Sequence, residues 1–325
     1  MSTSSSALSA SFQRRPWIYS FLGAIVIWLM TLALSGGSGA IQSLQAAMDF
    51  AMFFVIVGLG QMLVITSGPG NIDLSMPSVM TLSGLVGMIV MGQGGSMMIL
   101  PGFLSALAVG LVAGAVNFGL ISALRIPPIV ATLAMSFVIQ SLAVFTGGAA
   151  TLKPPPEFSA LTVVRLFGVP VLPVVTMFIA GAMVFVLRRT LFGRALLAVG
   201  QNESAAWLAG IDARRVRLLV YVICGASASL AGVLLAGFSG GAALDIGGEY
   251  QLGSIAVVVV GGTSVLGGRA FPQGVWGAAL FLYVLVNLLN LAVIKFGFGS
   301  AGSGIRLILT GVVIVAIVAL ARDPD

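Results

Sequence analysis

The chain of 325 residues is 59% apolar and only 7% charged, with a formal net charge of +6 and a mean hydropathy of +1.14; soluble domains carry about 25% charged residues. A membrane-crossing helix takes about 20 apolar residues, so the length is used up by roughly ten spans, which excludes an extramembranous domain of useful size. Histidine is absent, which excludes Ser-His and Cys-His dyads, His-bearing zinc sites and His-ligated haem.

The remaining counts narrow the reading further. Cys224 is the lone cysteine and lies in an apolar run, as a packed thiol would. The two lysines, Lys153 and Lys295, precede Pro154 and Phe296, so neither belongs to a G-x-x-x-x-G-K-[ST] phosphate loop and the chain has no such ATP site of its own. No metal, cofactor or catalytic residue is expected. A basic chain suits nucleic acid when a continuous basic face carries base-stacking aromatics. Here the basic residues separate apolar runs, matching the Lys/Arg excess of cytoplasmic loops in membrane proteins, so the expected surroundings are lipid and not nucleic acid.

In chain order, residues 1–13 are Ser-rich and expected as a disordered cytoplasmic tail. Arg14 and Arg15 then lead into an apolar stretch read as an uncleaved signal-anchor, and residues 14–325 form one all-α polytopic domain. Membrane segments are expected at about 17–34, 50–66, 78–93, 97–124, 129–147, 167–187, 216–240, 252–266, 272–294 and 304–321. With the N-terminus in the cytoplasm, Arg14, Arg15, Arg125, Arg188, Arg189, Arg194, Arg214, Arg215, Arg217, Arg269 and Arg322 are cytoplasmic. Of the 15 basic residues, Lys153, Arg165, Lys295 and Arg306 then lie outside, and both termini are cytoplasmic.

Residues 66–77 (TSGPGNIDLSMP) and 261–272 (GGTSVLGGRAFP) interrupt the apolar pattern in corresponding places of the two halves, each beside a short span. Non-helical backbone at membrane depth survives where protein or a water-filled cavity satisfies its N–H and C=O groups, and paired interruptions mark a transport pathway. The alternative is a pair of ordinary Gly/Pro turns between helices.

The loop 188–217 (RRTLFGRALLAVGQNESAAWLAGIDARRVR) is the longest charged one. Asn202 reads as an N-cap, Glu203 as a first-turn acid that complements the helix dipole, and Gly210 as a left-handed C′ residue. Asp212 then caps the helix that becomes the seventh span. A short helix bounded by Gly200 and Gly210 results, with Ala205, Ala206 and Ala209 leaving room for a close approach and Trp207 as an anchor. Two turns of helix are marginal alone, so the element packs on its own protein, on a partner, or on lipid headgroups.

At these residues the chain resembles the permease subunits of bacterial monosaccharide ABC importers of the ribose, xylose and galactose type. Residues 66–78, with Ile72-Asp73-Leu74-Ser75, look like that family's G-x-I-D-L-S-x-G-S segment. Residues 117–132 (NFGLISALRIPPIVAT) resemble its N-G-x-L-x-x-x-x-x-I-P-P-F-I-x-T stretch, 192–216 its F-G-R-x-x-x-A-x-G-x-N-x-x-A-A-x-x-x-G-I loop, and 261–269 its G-G-T-S-x-x-G-G-x-G turn. Asn71, Pro69, Pro77 and Ala270 depart from the pattern. The resemblance implies a type II importer-like permease in the bacterial inner membrane, paired with a second permease subunit as a homodimer or heterodimer. It further implies a cytoplasmic ATP-binding subunit and a periplasmic sugar-binding protein, with Asn202 to Ile211 as the coupling element.

An ion-coupled secondary transporter or a channel for a small polar solute is the competing class. The former needs an ionisable group near the bilayer midplane, whereas Asp49, Asp73, Glu157, Glu203, Asp212, Asp245 and Glu249 all read as loop, span-end or interrupted-segment residues. For solute contact the candidates are Gln61, Asp73, Asn117, Gln140, Asn287 and Asn290, with Phe145 as a stacking surface. Amides within spans also bridge helices, and Asp73 with Ser75 has the alternative role of capping the third span.

Overall fold

A lipid-embedded backbone has to satisfy its own hydrogen bonds, which leaves a run of apolar segments the choice of helices. The computed structural model describes residues 17–37, 40–147, 152–297 and 302–320. The expected tail, Arg14, Arg15 and Arg322 lie outside the described residues, as does the Arg306 side chain.

Each expected span coincides with a helix: α1 (Trp17–Ser35), α2 (Ala40–Thr66), α3 (Met76–Met91), α4 (Ile99–Leu124, preceded by the 3-10 turn Gly95–Met98), α5 (Pro128–Gly147), α7 (Val171–Arg189), α10 (Ala213–Phe238), α11 (Tyr250–Val260), α12 (Pro272–Lys295) and α13 (Gly302–Leu320). The connections carry the short helices α6 (Pro156–Thr162), α8 (Leu191–Gln201) and α9 (Glu203–Leu208). Among the described residues 7 helices are long and apolar enough to cross a membrane; α3 and α11, flanking the interruptions, have 16 and 11 residues.

The core is built around α2. Its apolar window is 83% buried, against 17% for α1, as befits a helix apolar on every side. Packed on it are α10, α12, α11 and α7, with α3 and α4 completing the bundle through α10. Small residues bring α4 and α10 together: a Cβ at Gly110 would overlap the Gly225 carbonyl, and one at Gly114 the Tyr221 carbonyl. Such close backbone approach supplies the van der Waals contact that holds helices together where lipid offers no hydrophobic driving force.

Three expected boundaries are corrected. The span placed at 167–187 starts at Val171, because Arg165–Leu166 and Val169–Pro170 pair as an antiparallel hairpin. Its two-residue loop, Phe167 (φ 52) and Gly168 (φ +81), has the positive dihedrals that match strand twist. The second span begins before Asp49, at Ala40, so Asp49 lies inside α2, where Arg165 of the hairpin pairs with it. The eighth ends at Val260 and not at 266, since Gly262 takes φ +90 and the Thr263 hydroxyl accepts from Phe271 N–H at 3.3 Å. The hairpin and the 188–217 loop sit at opposite ends of α7, whose 19 residues span about 28 Å at 1.5 Å per residue.

Candidate functional site

The first interruption, residues 67–75, is held from three helices. The Gln61 amide of α2 lies 3.3 Å from both the carbonyl and the N–H of Asp73, and pairs with both when its nitrogen is turned to the carbonyl. Asn117 of α4 donates to Ser75 Oγ at 2.7 Å and lies 3.4 Å from Asp73 Oδ2. Thr132 of α5 accepts from Leu74 N–H at 3.0 Å, and its hydroxyl reaches the Ile72 carbonyl at 3.2 Å. All four of Gln61, Asp73, Asn117 and Thr132 are buried. The Tyr221 hydroxyl of α10 and Asn117 Oδ1 are also buried, with no hydrogen-bond partner.

Asp73 and Ser75 do not cap α3 in the expected way. Ser75 is the N-cap residue but sits in the αR region and makes no side-chain cap bond. The Asp73 carboxylate instead accepts from Ser75 N–H at 2.8 Å and Ser75 Oγ at 2.7 Å. That bond closes a tight local turn of the Asx type, and Pro77, at the start of α3, supplies the preset φ.

Of the residues named for solute contact, the fold thus brings together Gln61, Asp73 and Asn117. Gln140 is elsewhere on α5 and donates to the Leu244 carbonyl at 2.8 Å. Asn287 of α12 donates to Ser43 Oγ at 3.2 Å, and Asn290 is half-buried one turn further along. Phe145 is 88% exposed on α5, so it lies outside the interior of this single chain.

The 188–217 loop follows the capping pattern in its sequence. The Asn202 side chain accepts from Ala205 N–H at 3.0 Å, the Asp212 side chain from Arg215 N–H at 3.1 Å, and Gly210 has φ +79. Ala206 is buried against the protein itself and Ile211 packs on the core, which seats the short helix; Ala205 faces outward. Trp207 and Leu208 are 72% and 79% exposed. Glu203 and Arg217 form a two-point pair, Oε1 to Nη1 at 3.0 Å and Oε2 to Nη2 at 2.6 Å. Arg188, Arg189, Arg194, Arg214 and Arg215, which flank the element in sequence, are exposed.

Gly200 is corrected: it does not bound a helix but lies within α8, which runs on to Gln201. The helix closes only at Asn202, whose N–H reaches the Ala198 carbonyl; the glycine at 200 serves close packing, since a Cβ there would overlap the Thr66 carbonyl. Sequence reasoning also missed α8 and Leu208. The apolar pair Trp207-Leu208 was a signal for the second, because adjacent residues on so short a helix cannot both face the core.

This arrangement of a polytopic helical bundle with two interruptions and a capped, partly apolar loop is that of a membrane permease. Residues 43–318 match the family described as branched-chain amino acid transport system / permease component, and the chain belongs to it. It is 32% identical to the ribose import permease of Escherichia coli (strain K12) over 278 residues, 84% of this chain and 85% of the relative. The ribose import permease of Bacillus subtilis (strain 168) is 34% identical over 273 residues, 82% and 80% of the two chains. An autoinducer 2 import system permease of Enterobacter sp. (strain 638) is 30% identical over 296 residues, 91% and 84%. No solved structure matches. The chain is accordingly a multi-pass permease component of an ABC importer, and an ion-coupled transporter is not favoured.

Proposed function

We propose that this permease imports a monosaccharide or a closely related small polar solute, working as one of a pair of permease subunits with a cytoplasmic ATPase and a periplasmic binding protein. The relatives' own solutes, ribose and autoinducer 2, support the solute class. In this reading both termini and the 188–217 loop face the cytoplasm, as the distribution of arginines argues, and residues 14–325 are one permease domain.

The observation that carries the coupling role is the pair of exposed apolar side chains, Trp207 and Leu208, on a helix whose other face is anchored by Ala206 and the Glu203–Arg217 pair. A rigid scaffold that presents an aromatic anchor is a docking geometry, and the exposed arginines flanking it in sequence suit a partner with an acidic rim. ATP-driven closure of the partner biases the permease between its two access states. Gln61, Asp73 and Asn117 brace the first interruption, Gln61 through the Asp73 backbone, Asp73 through Ser75, and Asn117 through the Ser75 hydroxyl and the Asp73 carboxylate. Double alanine substitution of Trp207 and Leu208 tests the docking role: the chain should reach the membrane at normal abundance and lose its ATPase subunit on purification. Full retention of the ATPase would refute it.

A further inference from the structure

We infer that Gly200 is the positioning residue through which the 188–217 loop moves both interruptions at once, by backbone contact at the end of α8. The inference rests on the docking reading above and concerns what happens after docking. Three segments distant in sequence meet at this point. The Thr66 carbonyl is one of the last four of α2, which have no acceptor role left within their own helix. It accepts from Gly268 N–H of the second interruption at 2.9 Å, so the residue at which the first interruption begins is hydrogen-bonded to the second. Gly200 lies against that bond: a Cβ there would overlap Thr66 O and stand 2.5 Å from Gly268 N.

The neighbouring residues tighten the junction. A Cβ at Gly267 would stand 2.8 Å from Gly68 Cα and 2.9 Å from Gly200 O, and Gln201 Nε2 donates to the Gly268 carbonyl at 3.3 Å. Thr66, Gly68, Gly200 and Gly268 are all buried. Between Gly200 and the Thr66–Gly268 bond the contact is backbone to backbone, so no rotamer change there can absorb a displacement of α8. Close-packed backbone transmits strain and switches between arrangements instead of deforming continuously. By contrast, α9 meets α10 through the solvent-accessible Glu203–Arg217 pair, which orients the short helix but carries little energy to drive a displacement further. The end of α8 is therefore the stiff route from the loop to the interruptions.

The test compares Gly200→Ala, Gln201→Ala and Gly119→Ala in proteoliposomes holding the complete complex with its ATPase subunit and loaded binding protein. Radiolabelled ribose uptake and ATP turnover are read in the same vesicles. Gly119 faces open space and serves as the control. The expected result is that Gly200→Ala keeps its ATPase subunit and its ATP turnover while ribose taken up per ATP falls by about tenfold, within the usual range of coupling between sites. Gln201→Ala, which removes one hydrogen bond, lowers the ratio by about twofold to fivefold, and Gly119→Ala leaves it unchanged. A wild-type ratio in Gly200→Ala overturns the inference, as does loss of the ATPase subunit from that variant, since Gly200 would then shape the docking surface and nothing more. If Gly200→Ala does not accumulate, Gln201→Ala decides, and an unchanged ratio overturns the inference. Failure of the wild-type chain to hold an ATPase subunit at all would instead remove the docking reading and, with it, this inference.

Discussion

Glu203 and Arg217, 14 residues apart in sequence, lock the short helix α9 onto the start of α10 through two parallel N–H···O contacts of 3.0 and 2.6 Å. The acid that the sequence offered to a helix dipole is thus also engaged with Arg217 within the chain. Both side chains remain solvent-accessible, at 53% and 25%, so the pair contributes under about 1 kcal/mol to stability. Its role is orientation, because bidentate geometry fixes direction more than it adds energy.

Charge reversal follows directly. Glu203→Arg places like charges together and should tilt α9 away from α10, lowering uptake several-fold at unchanged membrane abundance. The exchange Glu203→Arg with Arg217→Glu should restore much of it. Uptake assays at matched abundance check this, and absence of any rescue would leave the pair without an orienting role.

Gly210 turns the chain from α9 into α10 with φ +79, a conformation that costs a residue bearing a Cβ about 1–2 kcal/mol and a β-branched residue more. Gly210→Val should therefore uncouple uptake from ATP turnover, while Gly210→Asn, tolerated in the left-handed region, should be milder. Equal behaviour of the two variants in coupled uptake and hydrolysis assays would contradict this.

Removing the Asn117 amide tests the brace on the first interruption. Asn117→Leu leaves the buried Ser75 hydroxyl without its 2.7 Å donor and should destabilise the protein by about 1–3 kcal/mol, read as a lowered melting temperature in detergent. Gln140→Leu, outside the cluster, should shift the melting temperature less.

Topology is checked at Ser204, exposed in the loop. Ser204→Cys on a Cys224→Ala background should react with an impermeant thiol reagent from the cytoplasmic side and not from the periplasm. The parent Cys224 is fully buried and should stay unlabelled from either side.

Much of this architecture is legible in the sequence because lipid removes alternatives: an apolar run of span length becomes a helix, and the two Gly/Pro-rich stretches broke helices where they were expected to. The caps at Asn202 and Asp212 and the turn at Gly210 were equally readable, since each depends on neighbours within a few residues. What stayed hidden depends on distant contacts. Asp49 lies within a helix, paired with Arg165, 116 residues away, and Gly200 is a packing residue inside a helix, where Thr66 and Gly268 leave no room for a Cβ. The assembly of Gln61, Asp73 and Asn117 joins α2, the interruption and α4, and no local pattern announces it. Phe145 illustrates the reverse, an aromatic residue in a span that the fold leaves facing outward.

ATP-dependent uptake in reconstituted vesicles tests the central claim most directly. The radiolabelled solute carried by the binding protein should accumulate inside proteoliposomes when this chain, its permease partner, the ATPase subunit, loaded binding protein and ATP are all present, and should not accumulate when ATP or the ATPase is omitted. Accumulation by this chain alone under an imposed proton or sodium gradient would contradict the account.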